Sequence, residues 1–352
     1  MYNPRKRVGF FIFTIMKNFV LITVAVLFIA CGSTPPLVPV STTNIPVTST
    51  ISDPEMDQVT MVLPDISKMT SVQKTLEFLA ADELQGRDTG SPEIEMAAQF
   101  IEARFEHAGV KPYYETYRDE FIAMGKEAFN IVGVLHGSDP LLKKEVVLIG
   151  AHYDHIGTGK AIGGDTIANG ANDNAAGTTA VLALADHFAK TKSNKRTLVF
   201  ALFSAEEKGL LGSKHLAKKM KEAAVDLYMM YNIEMIGVPM EGKDHLVYAS
   251  GYELSNFPEK FNEYTGNNLV GFLPKAKEFN LFMRSDNYPF YQEFTVPAHT
   301  VSSFDFTNFE HYHSVKDEVE LIDIPFMEKL IAQMATGLEG ILSSPTKEIM
   351  IK

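Results

Sequence analysis

Four motifs decide the fold of this chain: GAHYDHIG at residues 150–157, NGANDNAAG at 169–177, FALFSAEEKG at 200–209 and YNIEMIG at 231–237. Each motif closes an apolar run or opens a helical pattern. A fifth motif, EHYHSVKD, follows much later at residues 310–317. Together they offer imidazole nitrogens and carboxylate oxygens, a donor set that suits zinc and leaves one carboxylate to act as a base.

Short apolar runs alternate with helical patterns around these motifs. The runs at residues 129–135, 145–151, 197–203 and 227–233 are each followed by polar or Gly-rich sequence, while residues 175–189 and 209–221 have helical periodicity. This alternation predicts an α/β fold, with a mixed, largely parallel central sheet flanked by helices. Residues 245–249 and 295–301 could extend the sheet. Helices are also predicted from Ser91 to Gly109 and over residues 324–342.

The chemically active residues follow the strands of the predicted sheet. His152 comes after the second run, Glu206 and Glu207 after the third, and Glu234 after the fourth. Sites in open α/β sheets gather beyond the carboxyl ends of the strands. We therefore expect these side chains to meet at one edge. Arg87 lies in a predicted turn before this region, and we expect it to be a structural ion-pair partner.

Two local patterns indicate a metal site. His152 is followed two residues later by Asp154, whose carboxylate could accept the other ring N–H of the histidine. His155 stays unassigned, because a lone histidine is more often structural. Adjacent acids such as Glu206 and Glu207 are usually solvated surface, but these follow an apolar run that should be buried. Buried anions need a cation, and a divalent ion meets that need better than Lys208 does.

The bulk composition bounds the class of protein. The chain has 352 residues and a formal net charge of −12, which argues against a nucleic-acid partner. One cysteine, Cys31, excludes an internal disulfide framework.

The N-terminal region predicts export. A basic start and a short apolar core within residues 1–30 are typical of a signal peptide. The sequence before Cys31 resembles a bacterial lipoprotein signal, in which that cysteine is lipidated; a plain secretory signal is the alternative. Residues 31–65 are predicted to be a disordered linker and residues 66–352 a single domain. We expect a cell-envelope lipoprotein, or a periplasmic or secreted protein, that meets the membrane only through Cys31.

Six motifs in order resemble metallopeptidase family twenty-eight, the zinc exopeptidases that include bacterial leucyl-type aminopeptidases and glutamate carboxypeptidases. They are GAHYDHIG, NGANDNAAG, FSAEEKGLLGS, NIEMIG, SDNYPF and HYHSVKD. The similarity covers roughly residues 76–342, and six clusters in order are far more specific than one. The resemblance implies a zinc peptidase domain.

The resemblance also implies a role for each matching residue. Asp173 would bridge two zinc ions, and the other metal ligands would be His152, Glu207, Glu234 and His313. Glu206 would be the general base, Asp154 would orient His152, and Tyr312 would hydrogen-bond the developing oxyanion. The peptide bond between Asp173 and Asn174 is commonly cis in this family.

Two residues depart from the family pattern. Glu234 stands where the family usually has aspartate, so the second metal site is expected to be shifted, weaker or differently filled. Asn287 stands where many members have histidine. In the last motif, His313 is favoured over His311 as the ligand, because residues 312–314 match the family's Tyr-His-Ser/Thr.

These observations predict a zinc-dependent exopeptidase that acts through a metal-activated water and a glutamate base. A peptide is the expected substrate, and an acidic pocket would suit a free N-terminal amine, which favours an aminopeptidase over a carboxypeptidase. One alternative is a glutaminyl-cyclase-like acyl transferase on the same scaffold, with one zinc. Another is a non-catalytic surface binding protein.

Overall fold

Residues 63–352 are described by the structure, a computed structural model. The predicted signal peptide, the predicted lipidation site at Cys31 and the predicted linker as far as residue 62 lie outside these residues. None of the described helices combines the length and the apolar character that a membrane crossing requires.

The described residues form eight α-helices and eleven strands. The helices are α1 Val72–Leu79, α2 Pro92–Ala108, α3 Ala176–Thr191, α4 Leu211–Glu222, α5 Phe257–Thr265, α6 Pro274–Glu278, α7 Asn287–Phe294 and α8 Ile324–Ser343. The strands are β1 Lys111–Pro112, β2 Arg118–Ala123, β3 Lys126–Leu135, β4 Val146–His152, β5 Thr158–Ile162, β6 Asp165–Ile167, β7 Thr197–Phe203, β8 Leu227–Ile233, β9 Val247–Ala249, β10 Val270–Gly271 and β11 Ala298–Ser302.

One nine-stranded sheet organises these elements, in the order β1-β3-β7-β4-β8-β11-β9-β10, with β2 paired to β3. Its centre is parallel, because β4 pairs in parallel with both β7 and β8, and β8 with β11. Every residue of β4, β7 and β8 is buried, which explains why these strands read as continuous apolar runs. The predicted fold class, a mixed and largely parallel sheet flanked by helices, is confirmed.

Helices cover both faces of the sheet. Helix α3 packs against α1, α2 and α8 over the larger core, while α4 packs against α7 over a second, smaller one. Local signals set the ends of α2 as predicted. The Ser91 hydroxyl accepts the Ile94 N–H at its start, and Gly109 ends it with a φ of 82°, a conformation that glycine adopts without strain.

The edge of the sheet was not predicted from the sequence. Strand β2 pairs antiparallel with β3, yet its sequence begins Arg118-Asp119-Glu120 and its burial pattern is mixed. A half-exposed strand with charged residues lacks the apolar signal on which strand prediction rests. The small β5–β6 hairpin was missed for the same reason. Helices α5 to α7 were not predicted either.

Candidate metal centre

The acidic and imidazole motifs meet at the carboxyl edge of the parallel strands, as the strand order predicts. His152 is the last residue of β4, Glu234 directly follows β8, and Glu206 and Glu207 lie just beyond β7. Asp173 lies on an irregular turn, Ala171–Ala175, that leads into α3. His313 reaches the same place from the loop after β11.

Asp173 lies at the middle of the cluster. Its Oδ1 is 3.3 Å from Nε2 of His152, and its Oδ2 is 3.2 Å from Nε2 of His313. His313 Nε2 is also 3.2 Å from Oε2 of Glu207. Each oxygen of the one carboxylate therefore faces a different imidazole, which is the arrangement that a bridging ligand needs.

These separations fit a zinc site. Tetrahedral ligands at about 2.0–2.1 Å from zinc lie roughly 3.3–3.4 Å from one another, close to the distances just given. Oδ2 of Asp173 is buried and has no hydrogen-bond partner among residues 63–352. An unpaired buried carboxylate oxygen is costly unless a cation neutralises it.

The turn that carries Asp173 is held by hydrogen bonds to two other parts of the chain. The Asp317 carboxylate accepts the N–H groups of Asn172 and Asp173, at 2.7 and 2.9 Å. Oδ1 of Asn172 accepts the Gly237 N–H at 2.8 Å, and Oδ1 of Asn174 accepts the Met235 N–H at 3.1 Å. The asparagines of NGANDNAAG thus fasten the turn to the segment that carries Glu234. The Asp173–Asn174 peptide bond is cis, as expected.

Arg87 supports the same region in a way that differs from the prediction. No described carboxylate forms an ion pair with it; its guanidinium instead donates to main-chain carbonyl oxygens of Tyr153 (2.8 Å), Asn169 (2.7 Å) and Gly170 (3.2 Å), and to that of Leu79. The side chain is buried, and burial lowers its pKa to about 10. One arginine therefore joins the loop after β4 to the loop that carries Asp173. The ion-pair prediction was wrong because main-chain acceptors cannot be read from a sequence.

Asp154 also has partners other than the expected one. Nδ1 of His152 is 3.0 Å from the main-chain oxygen of Asp154 and 3.9 Å from its carboxylate. Because a carbonyl only accepts, Nδ1 carries the proton and Nε2 offers its lone pair on the side of Asp173. The Asp154 carboxylate instead accepts the Thr89 hydroxyl and the Glu206 N–H, at 3.0 and 3.2 Å. Asp154 thus orients His152 through its backbone and the Glu206 loop through its side chain.

The centre holds more negative charge than the surrounding protein neutralises. Its buried or nearly buried carboxyl groups belong to Asp154, Asp173, Glu206, Glu207, Glu234, Asp286 and Asp317. Burial raises the pKa of Glu206 well above its ordinary value, and it raises the pKa of Asp286 and Asp317 to about 7. Lys208 does not relieve this charge, because its ammonium pairs with Asp88 at 2.7 Å. The imbalance favours bound cations.

Glu207 differs in the direction of its pKa shift from Glu206, Asp286 and Asp317. Burial works to raise its pKa, but the contacts with the imidazoles of His155 and His313 outweigh that effect and lower the pKa to about 2. His155, left unassigned in the sequence, is thus part of the centre: Nδ1 is 2.9 Å from Oε1 of Glu207 and 3.8 Å from Oδ2 of Asp173. Its position directly after the HYD triplet was the one available signal. Donor atoms of His155, Asp173 and Glu207 all lie within 4.8 Å of one another.

The remaining predicted residues line the approach to the centre. Oε2 of Glu234 accepts a hydrogen bond from the Ser285 hydroxyl, and Glu234 borders a cavity together with Tyr312, Phe304 and Arg284. The Tyr312 ring stacks on that of His313, with centroids 3.9 Å apart.

The structure also separates two residues from the cluster. His311 packs against Phe309, and its nearest carboxylate is that of Glu310, at 4.0 Å, whereas His313 reaches Asp173. Asn287 is buried and bonds to the Ala298 carbonyl and the Thr300 hydroxyl. It is therefore part of the scaffold.

Comparison with known proteins gives one family. The model of Peptidase family M28 matches residues 130–337, which is more than half of the chain. A probable leucine aminopeptidase of Arthroderma otae is 30% identical over 50% of this chain and 45% of its own length. A probable zinc metalloprotease of Pyrenophora tritici-repentis is 43% identical over 30% of this chain and 24% of its own length. The chain spans less than half the length of these curated relatives.

Solved structures share the fold at low identity. The Legionella pneumophila LapA aminopeptidase superposes with a TM-score of 0.60 at 18% identity, over 79% of this chain and 74% of that one. A Fimbriiglobus ruber glutaminyl cyclase superposes with the same TM-score of 0.60, also at 18% identity, over 80% and 96%. The fold alone therefore accommodates both hydrolysis and cyclisation.

Proposed function

Because this chain belongs to peptidase family M28, we propose that it is a zinc-dependent aminopeptidase that hydrolyses the first peptide bond of its substrates. The observation that carries the proposal is the position of Asp173, whose two carboxylate oxygens lie 3.3 and 3.2 Å from the imidazoles of His152 and His313. Relatives named as probable leucine aminopeptidases support the same function.

Two zinc ions are proposed, one on each side of Asp173. Glu207 and His313 would hold the first together with Oδ2, and His152 and Glu234 would hold the second together with Oδ1. The extra methylene of Glu234, compared with the usual aspartate, supports a second site that is weaker than the first. When bound, zinc supplies Lewis-acid polarisation of the scissile carbonyl and lowers the pKa of water.

Glu206 is the proposed general base. Its main-chain N–H is held by Asp154, and its pKa is raised by burial, with Glu234, Asp286 and Glu207 adding to the effect and His152 opposing it. A carboxylate with a raised pKa can take a proton from the attacking water and return it to the leaving amine near neutral pH. Tyr312 lines the cavity beside Glu234 and would donate to the oxyanion.

The charge around the centre supports recognition of a free amine. Glu206, Glu234 and Asp286 are acidic and buried at the metal edge, and an ammonium group would offset part of their charge. Arg284 is the one cationic residue among the described residues that line the adjoining cavity. A guanidinium there would equally suit a substrate carboxylate, so the end of the peptide that is read needs its own test.

Peptides with one end blocked provide that test. We expect hydrolysis of a peptide with a free N-terminus and an amidated C-terminus, and no hydrolysis of the same sequence with an acetylated N-terminus and a free C-terminus. Release of the last residue from the acetylated peptide would show that the protein is a carboxypeptidase and not an aminopeptidase.

Glutaminyl cyclisation is the second candidate, because a weak second zinc site would leave one metal and because a glutaminyl cyclase shares the fold. A peptide with N-terminal glutamine decides between the two by its product. Free glutamine supports the peptidase, whereas loss of ammonia without chain cleavage supports the cyclase. No turnover of any of these peptides, with zinc bound, would favour the non-catalytic binding protein.

Export and lipid anchoring at Cys31 also remain proposals, supported by the signal-like sequence before that residue. Labelled palmitate should enter the expressed wild-type protein but not its Cys31→Ala variant. Equal labelling of the wild type and the variant would refute the lipid anchor at Cys31.

A further inference from the structure

His155 is a buried imidazole inside the metal centre for which the proposed reaction has no role. Its side chain is fully buried, and its Nδ1 lies 2.9 Å from Oε1 of Glu207. Its ring meets the His313 ring edge to face, with centroids 5.6 Å apart. It therefore contacts one proposed ligand directly and lies beside a second.

The two oxygens of Glu207 have different surroundings. Oε2 is 3.2 Å from Nε2 of His313, close to the separation of two ligands of the same zinc ion. Oε1 is 2.9 Å from Nδ1 of His155, the length of an ordinary N–H···O hydrogen bond. His155 Nδ1 is also 3.8 Å from Oδ2 of Asp173, too far for two ligands that share a tetrahedral zinc. The distances fit His155 as a donor to Glu207 better than as a ligand.

The backbone and the packing fix the ring in this orientation. The His155 N–H donates to the Arg87 carbonyl at 3.2 Å, and the residue forms a bridge with Asp88. Gly170 has a φ of 58°, and a Cβ atom at that position would lie 2.6 Å from the His155 ring. Nε2 is buried with no hydrogen-bond partner in the described part of the chain. A neutral ring with its proton on Nδ1 leaves no donor unsatisfied.

We propose that His155 is a positioning residue that limits Glu207 to binding metal through Oε2 alone. The hydrogen bond occupies Oε1, so the carboxylate cannot turn to chelate the ion with both oxygens. A coordination position on the first metal is thereby kept for water or substrate. The inference rests on the zinc centre proposed above and does not depend on which peptide is cleaved.

Three variants test this in the cobalt-substituted protein, whose visible absorption reports coordination number. His155→Phe keeps a ring but removes the donor, and His155→Asn places an amide N–H near the position of Nδ1. His299→Phe is the matched control, because His299 is equally buried and bonds to Ser255 and the Ser250 carbonyl, outside the metal residues.

Without the donor, Glu207 should chelate the ion and raise its coordination number. We expect His155→Phe to bind as much cobalt as the wild type, with absorbance per cobalt at least about twofold lower. His155→Asn should recover most of that loss, and His299→Phe should match the wild type. If His155→Phe does not fold, His155→Ala replaces it in the comparison with His155→Asn.

An unchanged spectrum in the donor-free variant would overturn the proposal. Loss of one cobalt per chain in both His155→Phe and His155→Asn would overturn it too, because His155 would then be a ligand. A wild-type protein that binds no cobalt at all would instead refute the metal centre on which the proposed function depends.

Discussion

The two sides of Asp173 differ in how they balance charge. On the first side, defined by Oδ2, Glu207 and His313, two imidazoles contact the glutamate and hold its pKa low. On the second side, defined by Oδ1, His152 and Glu234, burial raises the pKa of the glutamate although His152 opposes the shift. The first side is organised as a ligand set by the protein itself. The second side carries surplus negative charge and depends more strongly on a bound cation.

The largest expected effect comes from a residue that belongs to neither side. Glu206→Gln should lower kcat by about 10²–10⁴-fold, because an amide cannot accept the proton of the attacking water. Zinc content should stay at the wild-type level, since Glu206 is not a proposed ligand. Measured turnover together with bound zinc checks both statements. Full activity in this variant would end the assignment of Glu206 as base.

Ligand removal sharpens the contrast between the sides. His313→Ala should weaken zinc binding on the first side by roughly a hundredfold or more, because it removes a direct ligand. Glu234→Ala should leave one zinc tightly bound and release only the other. Zinc titration monitored by calorimetry separates the two classes of site. Equal losses of zinc binding in the two variants would contradict a difference between the two sides of Asp173.

A pH effect tests the surplus charge near the second side. Burial raises the pKa of Asp286 from its ordinary 3.8 to about 7. Between those values the folded state keeps a proton that the unfolded state has lost. The stabilising contribution of the neutral carboxyl is thus complete below pH 3.8 and is lost as the pH rises towards 7, at a cost of at most about 4 kcal/mol of unfolding free energy.

Asp286→Asn should remove this dependence in the metal-free protein. Between pH 5 and pH 8, the Tm of the wild type should fall by more than that of the variant. Thermal unfolding at both pH values, in the presence of a chelator, makes the comparison. Equal decreases in Tm for the wild type and the variant would show that Asp286 is not responsible for the pH dependence.

The smallest effect is expected from Ser285, whose hydroxyl bonds to Glu234. Ser285→Ala removes a hydrogen bond that orients a ligand and should weaken the second zinc by about tenfold or less. The first zinc should be unaffected, as competition with a chromophoric chelator can measure. A change in affinity confined to the first zinc would contradict the assignment of Glu234 to the second.

Much of the scaffold could be predicted because it depends on local patterns. Strands β7 and β8 have the bounds that their apolar runs predict, since both are buried on both faces. Parallel strands also explain why His152, Glu207 and Glu234 converge. The ligand set beyond that came from the family resemblance.

Individual hydrogen-bond partners could not be predicted. Arg87 bonds to main-chain carbonyl groups, Asp154 to the Glu206 loop and His155 to Glu207. These partners depend on the directions of the side chains, which tertiary packing sets. The charged β2 strand was missed because antiparallel pairing to β3, and not its own composition, makes it a strand.

The most direct test of the central claim is anomalous diffraction at the zinc edge from crystals soaked in zinc. We expect two peaks roughly 3.5–4 Å apart, one on each side of the Asp173 carboxylate. The peak beside Glu234 should be the first to weaken as the zinc concentration is lowered. Zinc bound elsewhere, or a peak that does not contact Asp173, would contradict it.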